Sequence, residues 1–241
     1  IELAKRIDAD IVLGTDPDSD RVGIAVKKHD EQYVLMTGNQ VGALLMDYVL
    51  STTDTTGKKP AVVKTVVTSE LGAEIARKHG ILVFDTLTGF KYIGEKITQF
   101  EKAHASNDEE RAFDFLFGYE ESYGYLAGMH ARDKDAVVST LLICEMAAKA
   151  KAEGFTLLDR IEEIYKQYAY YLDALDSYTM KGKDGLEQIQ SMMAKLRTSG
   201  SPFKNTSAVI DFKKDIVTDV FGSLPYSNVL KYFLSDGSWI A

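Results

Sequence analysis

The chain has 241 residues, of which 45% are hydrophobic, and its formal net charge at pH 7 is −8. A chain of this length and composition can bury a substantial core, so a disordered protein is not expected. The acidic balance and the lack of a basic cluster interleaved with aromatic residues argue against nucleic acid as a partner.

No apolar run approaches the roughly 20 residues that span a bilayer, and no secretory signal is evident at the N-terminus, so we expect a cytoplasmic protein with no membrane partner. Both ends, Ile1 and the apolar stretch Trp239-Ile240-Ala241, are expected to be internal to a longer protein. The single cysteine, Cys144, lies in an apolar run and is predicted to be a buried thiol without a disulfide partner.

The first predicted elements are a short apolar strand over residues 10–14, an acidic segment, and a second strand over 21–26. A third strand is predicted over 31–36. Thr37-Gly38-Asn39 then provides the break and the cap of a helix. We expect a domain boundary at this point, after residue 36.

Strands and helices alternate over residues 37–170, which predicts an α/β layered domain. Its predicted elements are strands at 61–67, 81–84 and 113–119 and helices at 69–78, 92–102, 133–152 and 157–168. The strand at 113–119 leads directly into Glu120-Glu121-Ser122-Tyr123-Gly124. Because open α/β sheets bind ligands beyond the carboxyl ends of their strands, this segment is a predicted functional edge.

A further boundary is expected at about residue 170, and residues 171–241 form the last predicted domain. A helical stripe there is predicted to pack in a core, and it comprises Leu186, Ile189, Met192, Met193 and Leu196. Strands are predicted at 208–212, 216–221 and 239–241.

The acidic segment carries Asp16, Asp18 and Asp20 in alternation, so that their carboxylates can converge on one point. Hard oxygen ligands grouped in this way suit Mg²⁺. An EF-hand is excluded, because the sixth position is Arg21 instead of glycine and the twelfth is Lys27 instead of glutamate. A solvated acidic turn stays open as the alternative. Arginine beside a cation favours phosphate binding, and the pair indicates phosphoryl chemistry.

Four segments, in this order, resemble motifs of the α-D-phosphohexomutases, the phosphoglucomutase/phosphomannomutase family. Asp16-Pro17-Asp18-Ser19-Asp20-Arg21 is similar to the metal loop D-[GP]-D-x-D-R, and Thr88-Gly89-Phe90-Lys91 is similar to T-G-[FW]-K. The segment from Glu120 to Gly124 resembles the sugar-binding loop G-E-E-S-[FY]-G, with Tyr119 before the first glutamate. His130-Ala131-Arg132-Asp133-Lys134-Asp135 resembles H-x-R-x-K-D.

This resemblance implies a layered mixed sheet flanked by helices, the third domain of that family, with partial flanking domains. Residues 1–36 would end the second domain and carry the metal loop, residues 37–170 would be the sugar-binding third domain, and residues 171–241 an incomplete fourth. It also implies an isomerase that exchanges hexose 1-phosphate and 6-phosphate through a phosphoserine, with Mg²⁺ and glucose 1,6-bisphosphate as cofactors. Glucose is the preferred sugar of the substrate, because the Glu-Glu-Ser form resembles phosphoglucomutases, and mannose and a pentose phosphate stay open.

The resemblance also implies residue roles. Asp16, Asp18 and Asp20 hold Mg²⁺. Substrate is bound by Arg21, Thr88, Gly89, Glu120, Ser122 and Arg132. Lys134 is the expected general acid/base, with His130 as the second catalytic residue, and we expect His130 and Arg132 to lower the pKa of Lys134 by like-charge proximity.

No T-[AS]-S-H-N-P segment, which would carry the phosphoserine, occurs in the sequence, so the isolated chain is predicted to be inactive. Two other functions are alternatives to a mutase. A phosphatase with an aspartate nucleophile would need an aspartate free of metal duty and followed by threonine or lysine at a set spacing, and none is found. A non-catalytic module that binds sugar phosphates stays open.

Overall fold

The computed structural model describes all 241 residues, Ile1 to Ala241. They form two compact units, Ile1–Asp173 and Ala174–Ala241. None of the helices combines the length and the apolar character that crossing a bilayer requires.

The first unit opens with a short helix and a three-stranded antiparallel sheet. Helix α1 (Glu2–Ile7) precedes strands β1 (Ile11–Thr15), β2 (Val22–Lys27) and β3 (Tyr33–Leu35), which lie in the order β1-β2-β3. Thr15 pairs with Val22 across the β1-β2 hairpin. The three predicted strands are confirmed, and the acidic segment forms the loop of this hairpin.

A four-stranded sheet with flanking helices makes up the rest of the first unit. Its elements are α2 (Gly38–Thr52), β4 (Pro60–Thr65), α3 (Glu70–Lys78), β5 (Leu82–Thr86), α4 (Phe90–Ala105), β6 (Asp114–Glu120), β7 (Gly124–Ala127), α5 (Ala136–Ala152) and α6 (Leu157–Tyr168). The strand order is β5-β4-β6-β7, with β4 parallel to β5 and β6 and with β7 antiparallel to β6. The predicted α/β class, a mixed sheet flanked by helices, is confirmed.

The strand order also fixes the layers. The β4-α3-β5 and β5-α4-β6 connections run in opposite directions across the sheet, so right-handed crossovers put α3 and α4 on opposite faces. On one face, Phe117 and Tyr119 belong to a core that includes buried residues of α2 and α3. Elsewhere in the unit, Phe84, Phe100 and Phe113 form an aromatic cluster with ring centroids 5.0 to 5.4 Å apart.

Side-chain caps set the helix starts. Thr37 forms a capping box with Gln40 at the start of α2, and Ser69 caps α3, as predicted from the sequence. Helix α5 begins later than expected, at Ala136, because the side chain of Asp135 accepts hydrogen bonds from the amides of Val137 and Val138. Residues 133 and 134 therefore precede the helix.

The prediction of a buried cysteine is wrong. Cys144 is exposed, whereas its neighbours Ile143 and Met146 are buried. The apolar run around Cys144 winds around a helix with one inward face, and Cys144 lies outside that face.

The second unit contains one helix and short strands. Its elements are α7 (Gly182–Thr198), β8 (Thr206–Asp211), β9 (Thr218–Asp219), β10 (Gly222–Ser223), β11 (Leu230–Leu234) and β12 (Trp239–Ile240). Strands β12-β11-β8 form an antiparallel sheet, and β9 pairs with β10. Nε of Arg197 donates to both carboxylate oxygens of Asp211, each at 3.1 Å, and this pair joins α7 to β8.

Two expectations for the second unit are wrong. The helix α7 is present, but its apolar stripe is not core, since Leu186 is 55% and Met192 49% exposed and Gly185 is the only buried residue of the helix. Of the strand predicted at 216–221, only the two residues of β9 are in a strand. Strand β11 is absent from the sequence-based prediction.

Candidate functional site

The acidic loop brings its three aspartates together. One carboxylate oxygen from each of Asp16, Asp18 and Asp20 lies within 4.8 Å of the others. The loop is held from within, because the amides of Asp20 and Arg21 both donate to Oδ1 of Asp16 at 3.1 Å. The amide of Arg21 contributes most to placing the pKa of Asp16 below its usual value.

This arrangement fits a hard divalent cation. Oδ1 of Asp20 is buried and has no hydrogen-bond partner, a costly state for a polar atom unless a ligand completes it. Carboxylate oxygens are the donors that Mg²⁺ prefers. Asp16, Asp18 and Asp20 are therefore the residues that would hold it.

The acidic loop Asp16–Arg21 lies directly against the segment Glu120–Gly124, although about a hundred residues separate them in sequence. The amide of Val22 donates to the carbonyl of Tyr123 at 3.2 Å, and Arg21 forms an isolated β-bridge with Gly124. At the first turn of α5, the amide of Ala136 donates to the carbonyl of Ser19 at 3.1 Å. Main-chain contacts thus join the acidic loop to the segment Glu120–Gly124 and to the start of α5.

Lys134, in the segment His130–Asp135, contacts the acidic loop. Its Nζ lies 2.6 Å from Oδ2 of Asp20 and 3.3 Å from Oδ1 of Asp133. Its stem passes over Gly124, where an added Cβ would come within 2.3 Å of Cδ of Lys134. The sequence did not single out this requirement for glycine, since its partner lies ten residues away.

The expected lowering of the Lys134 pKa is wrong. Burial acts to lower the pKa of Lys134, but Asp20 and Asp133 outweigh it, so the pKa lies above its ordinary value. The side chains of His130 and Arg132 contact other partners. His130 Nε2 lies 2.8 Å from Oδ2 of Asp135, and Arg132 is ion-paired with Glu101 on α4.

The Thr88-Gly89 loop meets the sugar-loop segment at Glu120. The amide of Gly89 donates to Oε1 of Glu120 at 2.7 Å. Burial raises the pKa of Glu120, and the Gly89 hydrogen bond opposes that rise. Thr88 is exposed beside this contact and Ser122 is half-buried in the β6-β7 turn, so the predicted sugar-binding residues border one edge of the sheet.

Sequence reasoning missed Glu121, Thr65 and Thr68. Oε2 of Glu121 lies 3.1 Å from Oγ1 of Thr68 and 3.3 Å from Oγ1 of Thr65. Polar residues at the carboxyl end of β4 were the available signal, because β4 and β6 are neighbouring parallel strands and their carboxyl ends share one edge.

Surface clefts also occur away from this edge. One of about 320 Å³ is lined by residues of the first sheet and of the α5-α6 connection. Its charged side chains are already paired, with Lys151 Nζ 2.7 Å from Asp10 and His29 Nε2 3.0 Å from Asp159. We place the site at the edge that carries the four motifs, because the buried Oδ1 of Asp20 lies there without a hydrogen-bond partner.

The model of the phosphoglucomutase/phosphomannomutase α/β/α domain III matches residues 37–168, more than half of the chain. The chain belongs to this family. Three of the four motifs, those beginning at Thr88, Glu120 and His130, fall inside the matched range, and the metal loop precedes it.

Whole-length relatives in the family agree over nearly the entire chain. A phosphoglucomutase of Staphylococcus epidermidis is 35% identical over 98% of this chain and 43% of its own length. A phosphoglucomutase of Staphylococcus aureus is 34% identical with the same coverage. The chain thus spans less than half the length of the curated relatives it matches.

The fold is shared with solved structures of the family. Parafusin, a Paramecium phosphoglucomutase in its open form, aligns with a TM-score of 0.59 at 18% identity, over 95% of this chain and 37% of its own. A family protein of Burkholderia thailandensis aligns with a TM-score of 0.57 at 16% identity, over 98% and 42%.

Proposed function

We propose that this phosphohexomutase-family chain carries the metal loop and the sugar-binding edge of an enzyme that interconverts hexose 1-phosphate and 6-phosphate. The observation that carries the proposal is the meeting of the four motifs at one edge. Lys134 contacts Asp20, Arg21 bridges to Gly124, and Gly89 donates to Glu120. A solvated acidic turn with no ligand would need none of these contacts.

The acidic loop offers roles for Asp16, Asp18, Asp20 and Arg21. Mg²⁺ held by Asp16, Asp18 and Asp20 would offset negative charge on a phosphoryl group in transfer. Arg21, which is exposed next to that loop, presents a guanidinium that can bind phosphate oxygens in pairs. Bound phosphate would therefore lie beside the aspartates.

The sugar hydroxyls are assigned to the β6-β7 edge. Glu120 has one carboxylate oxygen fixed by Gly89 and a second oxygen that can accept from a hydroxyl. The hydroxyl of Ser122 can donate or accept a hydrogen bond, and Thr88 lies at the same edge. Arg132 is proposed as a further contact to the substrate. Lys134 Nζ would hold the proton exchanged with the sugar hydroxyl, with His130 as the second group.

Glucose is the proposed sugar, with mannose as the alternative. The Glu120-Glu121-Ser122 sequence takes the phosphoglucomutase form, and the named Staphylococcus relatives are phosphoglucomutases. Exchange between the two phosphate positions would proceed through a glucose 1,6-bisphosphate that reorients in the site.

The phosphate carrier is proposed to be a serine outside the 241 residues, because the sequence contains no T-[AS]-S-H-N-P segment. On its own, this chain would then bind a hexose phosphate without converting it. The non-catalytic binding module is therefore the second candidate, and the same observation favours it for the isolated chain.

Calorimetric titration of the 241-residue chain with MgCl₂ and with glucose 6-phosphate tests the binding assignments. We expect heat from both ligands, loss of the Mg²⁺ signal in Asp18→Asn, and loss of the sugar signal in Ser122→Ala. Asp30→Asn, an exposed aspartate outside the motifs, is the matched control and should bind like wild type. No heat with either ligand would refute the proposed function.

A coupled assay with glucose 1-phosphate and glucose 1,6-bisphosphate tests turnover. We expect no glucose 6-phosphate from the chain alone. Product formed by the chain alone would contradict the external phosphate carrier but not the binding assignments.

A further inference from the structure

Glu121 lies between the two residues assigned to the sugar, yet its side chain is engaged elsewhere. Its Oε2 lies 3.1 Å from Oγ1 of Thr68 and 3.3 Å from Oγ1 of Thr65. The two threonine hydroxyls are 2.7 Å apart, and both threonines are fully buried. The middle glutamate of the loop therefore contacts the protein, while its neighbour Glu120 is bonded to Gly89.

The number of hydroxyl protons limits how many of the contacts among Thr65, Thr68 and Glu121 are hydrogen bonds at one time. An ionised carboxylate only accepts hydrogen bonds, and each threonine hydroxyl has a single proton to donate. Three contacts thus compete for two protons. The shortest path runs from Thr65 to Thr68 at 2.7 Å and from Thr68 to Glu121 at 3.1 Å. Either threonine can donate to Glu121 while the other donates to its neighbouring hydroxyl.

Thr65 ends strand β4 and Thr68 lies in the turn that follows, and a buried lysine fixes the position of that turn. Nζ of Lys64 reaches the carbonyl of Thr68 at 3.3 Å, Glu70 at 3.0 Å and Asp85 at 2.9 Å. The side chain of Lys64 is only 1% exposed. Because a buried ammonium that loses a partner is costly, this turn cannot easily shift. The hydroxyls are therefore presented at fixed positions.

The backbone of Glu121 is confined as well. A Cβ at Gly38, the first residue of α2, would lie 2.0 Å from the carbonyl oxygen of Glu121. On the next strand, the hydroxyl of Tyr125 donates to the carbonyl of Gly38 at 3.2 Å. Glu121 is thus held by helix α2 at its main chain and by the β4-α3 turn at its side chain.

We propose that Glu121 is a positioning residue, which holds the sugar-binding loop through Thr68 and Thr65 and does not touch the substrate. The inference rests on the proposed function, since it concerns how Glu120 and Ser122 are presented to the hexose. It explains why adjacent carboxylates occur in this loop, one for the sugar and one for the protein.

The test separates the acceptor oxygen of Glu121 from its charge. Glu121→Gln keeps an oxygen that can accept from Thr68, whereas Glu121→Ala removes it. In the 241-residue chain, we expect Glu121→Gln to bind glucose 6-phosphate with a Kd within about threefold of wild type. Glu121→Ala should weaken binding by about tenfold or more, equal to ~1.4 kcal/mol. Calorimetry measures both values.

The threonines provide an independent arm with a matched control. The double variant Thr65→Val/Thr68→Val removes both hydroxyls at nearly constant volume, and we expect it to weaken binding as much as Glu121→Ala. Thr65→Ser/Thr68→Ser keeps both hydroxyls and should restore binding. Circular dichroism of each variant confirms that it is folded.

The possible outcomes are distinct. Equal loss in Glu121→Gln and Glu121→Ala would mean that the charge itself contacts a ligand, and this would overturn the positioning role while leaving the proposed function intact. A lowered melting temperature with unchanged Kd in Glu121→Ala would also overturn it. If wild type itself does not bind glucose 6-phosphate, the proposed function fails and this inference fails with it.

Discussion

The packing of Tyr119 gives a quantitative prediction about the support beneath the sugar-binding edge. Tyr119 directly precedes Glu120, is fully buried, and lies between two helices at positions where each has a glycine. A Cβ at Gly42 of α2 would lie 2.3 Å from Cδ2 and Cε2 of the ring. A Cβ at Gly72 of α3 would lie 2.4 Å from the hydroxyl oxygen.

Overpacking of this kind costs about 1–3 kcal/mol, and replacing a helical glycine by alanine recovers about 1 kcal/mol. The added Cβ atoms would lie only 2.3 and 2.4 Å from Tyr119, so the upper part of the overpacking cost applies, about 2–3 kcal/mol. After the gain of about 1 kcal/mol is subtracted, we expect Gly42→Ala and Gly72→Ala each to lower the free energy of unfolding by about 1–2 kcal/mol. A Tyr119→Phe background then distinguishes the two alanine variants. Tyr119→Phe removes the atom nearest to Gly72 but leaves the ring atoms nearest to Gly42.

In the Tyr119→Phe background, Gly72→Ala should become nearly neutral, with a coupling energy of about 1–2 kcal/mol, whereas Gly42→Ala should keep its full cost. Urea unfolding followed by far-UV circular dichroism measures these values. The only tryptophan, Trp239, lies in the second unit, so circular dichroism is used in place of tryptophan fluorescence. Equal relief of both alanine variants by Tyr119→Phe would refute the reasoning, as would two neutral single variants.

Three other outcomes follow from the site. Asp20→Asn should weaken Mg²⁺ binding in calorimetry by about tenfold or more, ~1.4 kcal/mol, and Asp30→Asn should leave it unchanged; equal loss in both would contradict the metal assignment. Burial raises the pKa of Glu120 above its ordinary 4.5. Ionisation of this carboxylate therefore destabilises the folded state as the pH rises from the ordinary pKa through the raised one. Glu120→Gln should therefore melt above wild type at pH 7, with a gap that closes below pH 4.5; a pH-independent gap would argue against it. Asp135→Ala should cost about 1 kcal/mol through loss of the α5 cap, and Asp135→Ser should recover most of it.

Local signals in the sequence predicted most of the first unit. The caps at Thr37 and Ser69 lie within three residues of the amides they bind, so the pattern that predicts them is contained in a few adjacent letters. The alternation of strands and helices was equally local. The start of α5 was placed too early, because Asp133 and Asp135 can both serve as caps in a sequence and only the fold shows which one does.

Contacts between distant residues could not be predicted in this way. The pKa of Lys134 was expected to follow from its sequence neighbours His130 and Arg132, but it follows from burial and from the carboxylates of Asp20 and Asp133. Asp20 is more than a hundred residues away in sequence. The exposed stripe of α7 shows the same limit, since helical spacing identifies an apolar face but does not say what covers it.

The frame of the site depends on main-chain contacts more than on the side chains that would do the chemistry. The amide of Val22 bonds to the carbonyl of Tyr123, and that of Ala136 bonds to the carbonyl of Ser19. A change such as Asp20→Asn leaves both contacts available, so a loss of Mg²⁺ binding in that variant can be assigned to the lost charge. A side chain at Gly124 would instead disturb this frame, because it would displace Lys134. The proposed ligand residues themselves would be unchanged. Variants at this glycine should therefore lose binding of both Mg²⁺ and sugar together, which no single ligand variant is expected to do.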